Sequence, residues 1–197
     1  MHISEVKTAF KIADVELIEG STKLNFNYLE NLVDENGNSL PKDILTKNYS
    51  RVYLIVVDGI IMKIGASQDK GGMKGTLNIY KDGGVKGRPS IRSFGIWYFL
   101  YRTVLGGKKI EFYMIYHDNF TAEVKGLFGL YPVTNASISC KLIEGCCIAD
   151  YISIEGKYPE WNIQEQGADW SDEIKLQHSE ITKNSLERKT KRRKIGL

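Results

Sequence analysis

Apolar and polar positions divide the chain into stretches of different period. Val52-Tyr53-Leu54-Ile55-Val56-Val57 and Ile60-Ile61-Met62-Lys63-Ile64-Gly65 are two β-rich runs around Asp58-Gly59, a pattern that predicts a tight hairpin. Lys109 to Tyr116 alternates or runs apolar and predicts a third strand paired with that hairpin. Between them, Phe94, Trp97, Tyr98, Tyr101 and Leu105 recur at helical spacing behind Pro89 and the N-cap Ser90, and Gly106-Gly107 stops the helix. A second helix is expected from Ser137 to about Ile154, with Gly156 at its exit.

The flanking stretches carry weaker patterns. Residues 1–50 are mixed and polar, with weak helical periodicity over Lys11 to Leu17 and a turn-rich Asp34 to Asn38, and read as an accessory segment. Gln68 to Arg88 interleaves six glycines with Lys70, Lys74, Lys81 and Lys86 and reads as a mobile basic loop. Beyond Gln164 the chain is polar, with room for one more helix before a basic end. No internal repeat is visible. The expected fold is α+β: a small central antiparallel three-stranded sheet flanked by helices. The core unit is expected over 51–164 with the loop 68–88 inserted, after the segment 1–50 and before a C-terminal extension over 165–197.

Composition sharpens this picture. With 197 residues, 42% hydrophobic and 11% aromatic, the chain can bury a real core and is not disordered. No apolar run approaches the roughly 18 residues of a membrane span. The start, Met1-His2-Ile3-Ser4-Glu5, has no basic or apolar leader, so secretion is not expected. Cys140, Cys146 and Cys147 are odd in number, and two are sequence neighbours; they read as reduced thiols of a cytoplasmic chain. His2, His117 and His178 are isolated and no C-x-x-C occurs, so zinc is not implied. Gly71 to Thr76 lacks the spacing of a phosphate-binding P-loop, which removes a nucleotide cofactor.

Charge is unevenly distributed. From Lys183 onward seven basic residues face one acid, a local +6, so the first 182 residues sum to −3 within a total of +3. Such a run adds salt-sensitive affinity for phosphate backbones, and it serves equally as a solvated tail. Glu144 stands among Leu142, Ile143, Gly145 and Cys146, where a carboxylate needs a partner or a metal.

The order hairpin, helix, strand, helix with a central Glu, then a turn ending in Asn resembles the GIY-YIG nuclease family over roughly Arg51 to Gln164. Arg51-Val52-Tyr53 stands where the family has Gly-Ile-Tyr, so the tyrosine matches and the glycine does not. Lys63-Ile64-Gly65 stands where it has Tyr-Ile-Gly. Arg92 fits the family's helix arginine better than Arg88, one turn away; Glu144 and Asn162 match its later Glu and Asn.

The resemblance implies a hydrolase that cuts double-stranded DNA with one Mg²⁺ per site, held by Glu144. Tyr53 would position or deprotonate the attacking water, which as a base requires its pKa to be lowered by Lys63 or Arg92. Arg92 would grip the scissile phosphate, Lys63 would add positive charge, and Asn162 would tie the last turn to the core. His117 is a candidate for proton transfer, or an ordinary surface histidine. Lys70, Lys74, Lys81, Lys86 and Arg88 would meet DNA phosphates. With one core and modest extensions, the chain is most like a stand-alone type II restriction endonuclease, acting as a homodimer on a palindromic site.

Two rivals remain. A PD-(D/E)XK nuclease is suggested by acid-x-Lys triplets, of which only Glu123-Val124-Lys125 follows a convincing strand. A non-catalytic DNA-binding protein on the same fold would explain Lys63 and Arg51 as departures from the family pattern.

Overall fold

The computed structural model describes residues 1–47, 49–84 and 88–194, with side chains as far as Ser185. Its centre is a five-stranded antiparallel sheet in the order β2-β1-β5-β3-β4, formed by β1 (Phe10–Leu17), β2 (Leu24–Tyr28), β3 (Ser50–Val57), β4 (Ile60–Ser67) and β5 (Ile110–His117). Four helices accompany it: α1 (Gly72–Ile79), α2 (Ile91–Leu105), α3 (Cys140–Glu155) and α4 (Asp172–Lys194). Strands β6 (Phe120–Gly126) and β7 (Gly129–Ala136) form a separate two-stranded ribbon.

The α+β class holds, with five strands in the main sheet where three were expected. The hairpin is β3–β4, closed by Asp58 and Gly59, both at positive φ, and β5 pairs with β3 along its whole length. Every residue of β3 is buried, because its neighbours are strands on both edges and helices on both faces. Tyr53, Ile55 and Val57 point to a core shared with Phe94, Trp97 and Leu100 of α2, Trp161 and Trp170. Val52, Leu54 and Val56 point to the other face, under Ile143 and Tyr151 of α3.

Three expectations are corrected. Lys11 to Leu17 belongs to strand β1, not a helix, and residues 10–28 supply two strands of the main sheet. Within 68–88 lies helix α1, which buries Met73, Thr76 and Leu77. Gly72 there has φ +73, and a Cβ would come within 2.4 Å of the Leu45 carbonyl oxygen, so only glycine fits its approach to the preceding turn. The second helix begins at Cys140, three residues later than expected.

Of the basic C-terminal run, residues up to Lys194 continue α4, which packs through Ile174 and Ile181; the side chains from Arg188 on lie outside the described residues. No helix among the described residues is long and apolar enough to cross a membrane.

Candidate functional site

β4 is an edge strand, so one side of it offers unpaired backbone groups. Residues from three distant segments satisfy them, beginning with the Met1 carbonyl, which accepts from Ile61 N at 3.1 Å. Trp161 N donates to the Met62 carbonyl at 2.8 Å. Asn162 lies fully buried, its Oδ1 accepting from Ile64 N at 2.9 Å and its Nδ2 donating to Ile64 O at 2.8 Å, as a backbone partner would. One step further along, Glu144 Oε1 accepts from Ala66 N at 2.7 Å. Glu144 is 4% exposed, and its second oxygen pairs with Lys141 Nζ at 2.6 Å. Two backbone-mimicking contacts thus fix where the carboxylate of α3 and the turn after it meet the sheet.

Around this edge lie the other candidates. Tyr53 pairs in register with Gly65, and its phenol lies over that glycine: a Cβ at position 65 would come within 2.5 Å of the hydroxyl. The Tyr53 and Tyr80 hydroxyls bond at 2.7 Å. Burial pushes the Tyr53 phenol well above its ordinary pKa, the adjacent Tyr80 adds to this, and Arg92 opposes it only in part. The condition for Tyr53 as a base, a lowered pKa, is therefore not met in the free chain, where it stays a neutral phenol.

Lys63, on a hairpin where a lysine ordinarily faces solvent, is 1% exposed. Burial pushes its ammonium down to about 8, with Glu165, whose Oε2 lies 4.0 Å away, pulling it back up. Glu165 Oε1 accepts from Arg92 Nη2 at 2.8 Å, while Oε2 is buried without a hydrogen-bond partner among the described residues. Arg92, in the first turn of α2, is 35% exposed and so borders solvent. Its charge and that of Glu144 act on both Tyr53 and Lys63.

The structure thus brings together Tyr53, Lys63, Arg92 and Glu144, with Asn162 beside them. His117 is not with them: it ends β5, two strands from β4, on the face opposite Tyr53, in a groove with Thr8, Ile138, Leu142 and Cys146. Arg88 is exposed and makes no bond to the cluster. Lys70, Lys74 and Lys81 are exposed, Lys74 with its ammonium 4.8 Å from the Tyr28 ring centre; Lys86 lies outside the described residues.

Four participants carried no assignment from sequence. Tyr80 had a signal, since Met73, Thr76, Leu77 and Tyr80 follow i, i+3, i+4, i+7 spacing. Lys141, three residues before Glu144, has the helical spacing of an ion pair. Arg51, in place of a glycine, buries its guanidinium and donates to the carbonyls of Lys47, Tyr49 and Asp69, binding the loop before β3 to the end of β4. Glu165 had no local signal, lying in a Gln-Glu-Gln turn.

No protein-family model and no curated protein sequence matches the chain. Among solved structures, it is similar to a mutant of bacteriophage T4 EndoII, at 17% identity over 83% of this chain and 99% of that one, with a TM-score of 0.50. It is also similar to restriction endonuclease HPY188I, solved in complex with product DNA, at 20% identity over 81% and 84% and a TM-score of 0.46. At these identities the likeness to T4 EndoII is one of fold.

Proposed function

We propose that this chain is a DNA endonuclease of the GIY-YIG type, hydrolysing phosphodiester bonds beside the outer edge of β4, where Glu144 and Asn162 meet it. The observation that carries the reading is the convergence there of Tyr53, Lys63, Arg92 and Glu144 from four separate elements, with two buried or half-buried cations, Lys63 and Arg92, sharing the single carboxylate of Glu165 among the described residues. A structural ion-pair network has no need to bury a lysine 4.0 Å from its partner.

The residues fit one hard divalent cation. Glu144 would offer it the oxygen now paired with Lys141, and no group of three or more His, Cys, Asp or Glu is clustered for metal binding among the described residues, so waters and the substrate phosphate would complete the shell. When bound, Mg²⁺ supplies positive charge to the phosphate and the departing oxygen. Arg92 exchanges Glu165 for the scissile phosphate and holds it through its guanidinium. Lys63 adds charge against the developing phosphorane. Tyr53, kept neutral by burial, orients the attacking water by hydrogen bonding rather than by taking its proton.

The finer reading is a type II restriction enzyme working as a homodimer on a palindrome, since each chain offers one such site. The PD-(D/E)XK alternative is disfavoured by the position of Glu123 and Lys125 on the exposed β6–β7 ribbon, away from the cluster. The test is incubation with unmethylated phage DNA, with and without Mg²⁺, beside Glu144→Gln. Discrete Mg²⁺-dependent fragments absent from the variant are expected; uncut DNA that is nonetheless retarded on the gel would replace this reading with a non-catalytic DNA-binding protein.

A further inference from the structure

The β6–β7 ribbon stands apart from the main sheet and exposes almost everything it carries. Leu127 and Phe128 at its tip are 94% and 92% exposed, and Phe120, Val124, Leu130, Tyr131 and Val133 are exposed along its length. An isolated two-stranded ribbon is marginal in water and is ordinarily completed by further strands.

Its register shows which edge is open. Gly126 pairs with Gly129 across the two-residue turn Leu127-Phe128, so that pair is the hydrogen-bonded kind; alternation then makes Val124–Tyr131 hydrogen-bonded, and Lys125–Leu130 and Glu123–Pro132 not. Pro132, which has no N–H, sits where none is needed toward β6 and removes a donor from the outer edge of β7. On β6, by contrast, the N–H and C=O groups of Glu123 and Lys125 point outward, with no proline to blunt them.

We propose that β6 is a dimerisation edge, pairing antiparallel with β6 of a second copy of this chain about a two-fold axis through Val124. This pairing sets Glu123 opposite Lys125 of the second copy and Lys125 opposite its Glu123, so one contact yields two opposite-charge cross-strand pairs. The two Val124 residues meet at the axis in a close, non-hydrogen-bonded pair. The product is a four-stranded sheet in the order β7-β6-β6-β7, with Ala122, Val124, Tyr131 and Val133 of both copies on one face. The occupant is a second copy rather than DNA because the ribbon's only charges, Glu123 and Lys125, cancel and offer phosphates nothing. The inference supplies a surface for the homodimer of the proposed nuclease and rests on that reading only for the use of the symmetry.

Sedimentation equilibrium of the purified full chain tests it without DNA or cleavage. The wild type is expected to dimerise across a concentration series. Lys125→Glu and Glu123→Lys, which each place like charges across the axis, should weaken the dimer by about tenfold or more. An equimolar mixture of the two variants should dimerise again, since each then meets its complement, and so should the double swap in one chain. A monomeric wild type, single variants that dimerise like the wild type, or a mixture that stays monomeric would each overturn the proposal. DNA cleavage by the same samples is scored separately, so loss of the nuclease reading leaves this result interpretable.

Discussion

Arg92 Nη2 lies 2.8 Å from Glu165 Oε1, and the other oxygen of that carboxylate is turned toward Lys63, 4.0 Å away, with no hydrogen bond of its own among the described residues. In the free chain a glutamate thus occupies the position between two cations that the proposed nuclease would give to a phosphate. Glu165→Gln keeps the shape and removes the competing charge. Without metal, it should bind duplex DNA about tenfold more tightly, the worth of one charge-assisted hydrogen bond. Fluorescence anisotropy over a salt series measures this; affinity equal to the wild type would mean that Glu165 does not compete with phosphate.

Glu144 has both a structural bond, to Ala66 N, and a proposed chemical role, and two substitutions separate them. Glu144→Gln retains an oxygen acceptor for the amide and should change stability by less than about 1 kcal/mol, whereas Glu144→Ala leaves the amide unpaired and should cost about 2 kcal/mol. Both should lower cleavage by at least about a hundredfold, because neither presents a carboxylate. If activity follows stability instead, with Gln close to wild type, the carboxylate is structural.

Asn162 satisfies both the N–H and the C=O of Ile64 from a fully buried position. Asn162→Ala removes both bonds and should destabilise the fold by about 3 kcal/mol. Urea denaturation reads the change; a loss below about 1 kcal/mol would show that water replaces the amide at the edge.

The hairpin, α2 and the isolated Glu144 were legible because each is a local signal: two β-rich runs around Asp-Gly, a Ser90 cap before a helical stripe, a carboxylate among apolar residues. β1 was not, because a register shift between Lys11 and Ala13 puts its apolar residues at 10, 12, 13 and 15, which breaks a period of two and leaves a weak helical spacing in its place. α1 was hidden by Gly71, Gly72 and Gly75, although its buried positions have helical spacing. The burial of Lys63 and the part played by Glu165 arise from contacts about a hundred residues apart in sequence, where no pattern along the chain can register them.

The buried Lys63 ties stability to pH, and the sign can be worked out. Its ammonium titrates near 8 in the folded chain and near 10.5 when unfolded, so between these values the unfolded state binds more protons. Stability therefore carries the full cost of the buried charge below pH 8 and recovers it as pH rises from 8 to 10.5. Lys63→Met has no such group. The wild type should gain on the order of 3 kcal/mol relative to Lys63→Met across that window, read as the difference between their urea unfolding free energies at each pH. A difference that stays flat would mean that Glu165, with Glu144 nearby, holds Lys63 at its ordinary pKa against both burial and the like charge of Arg92, and its burial would then carry no electrostatic cost.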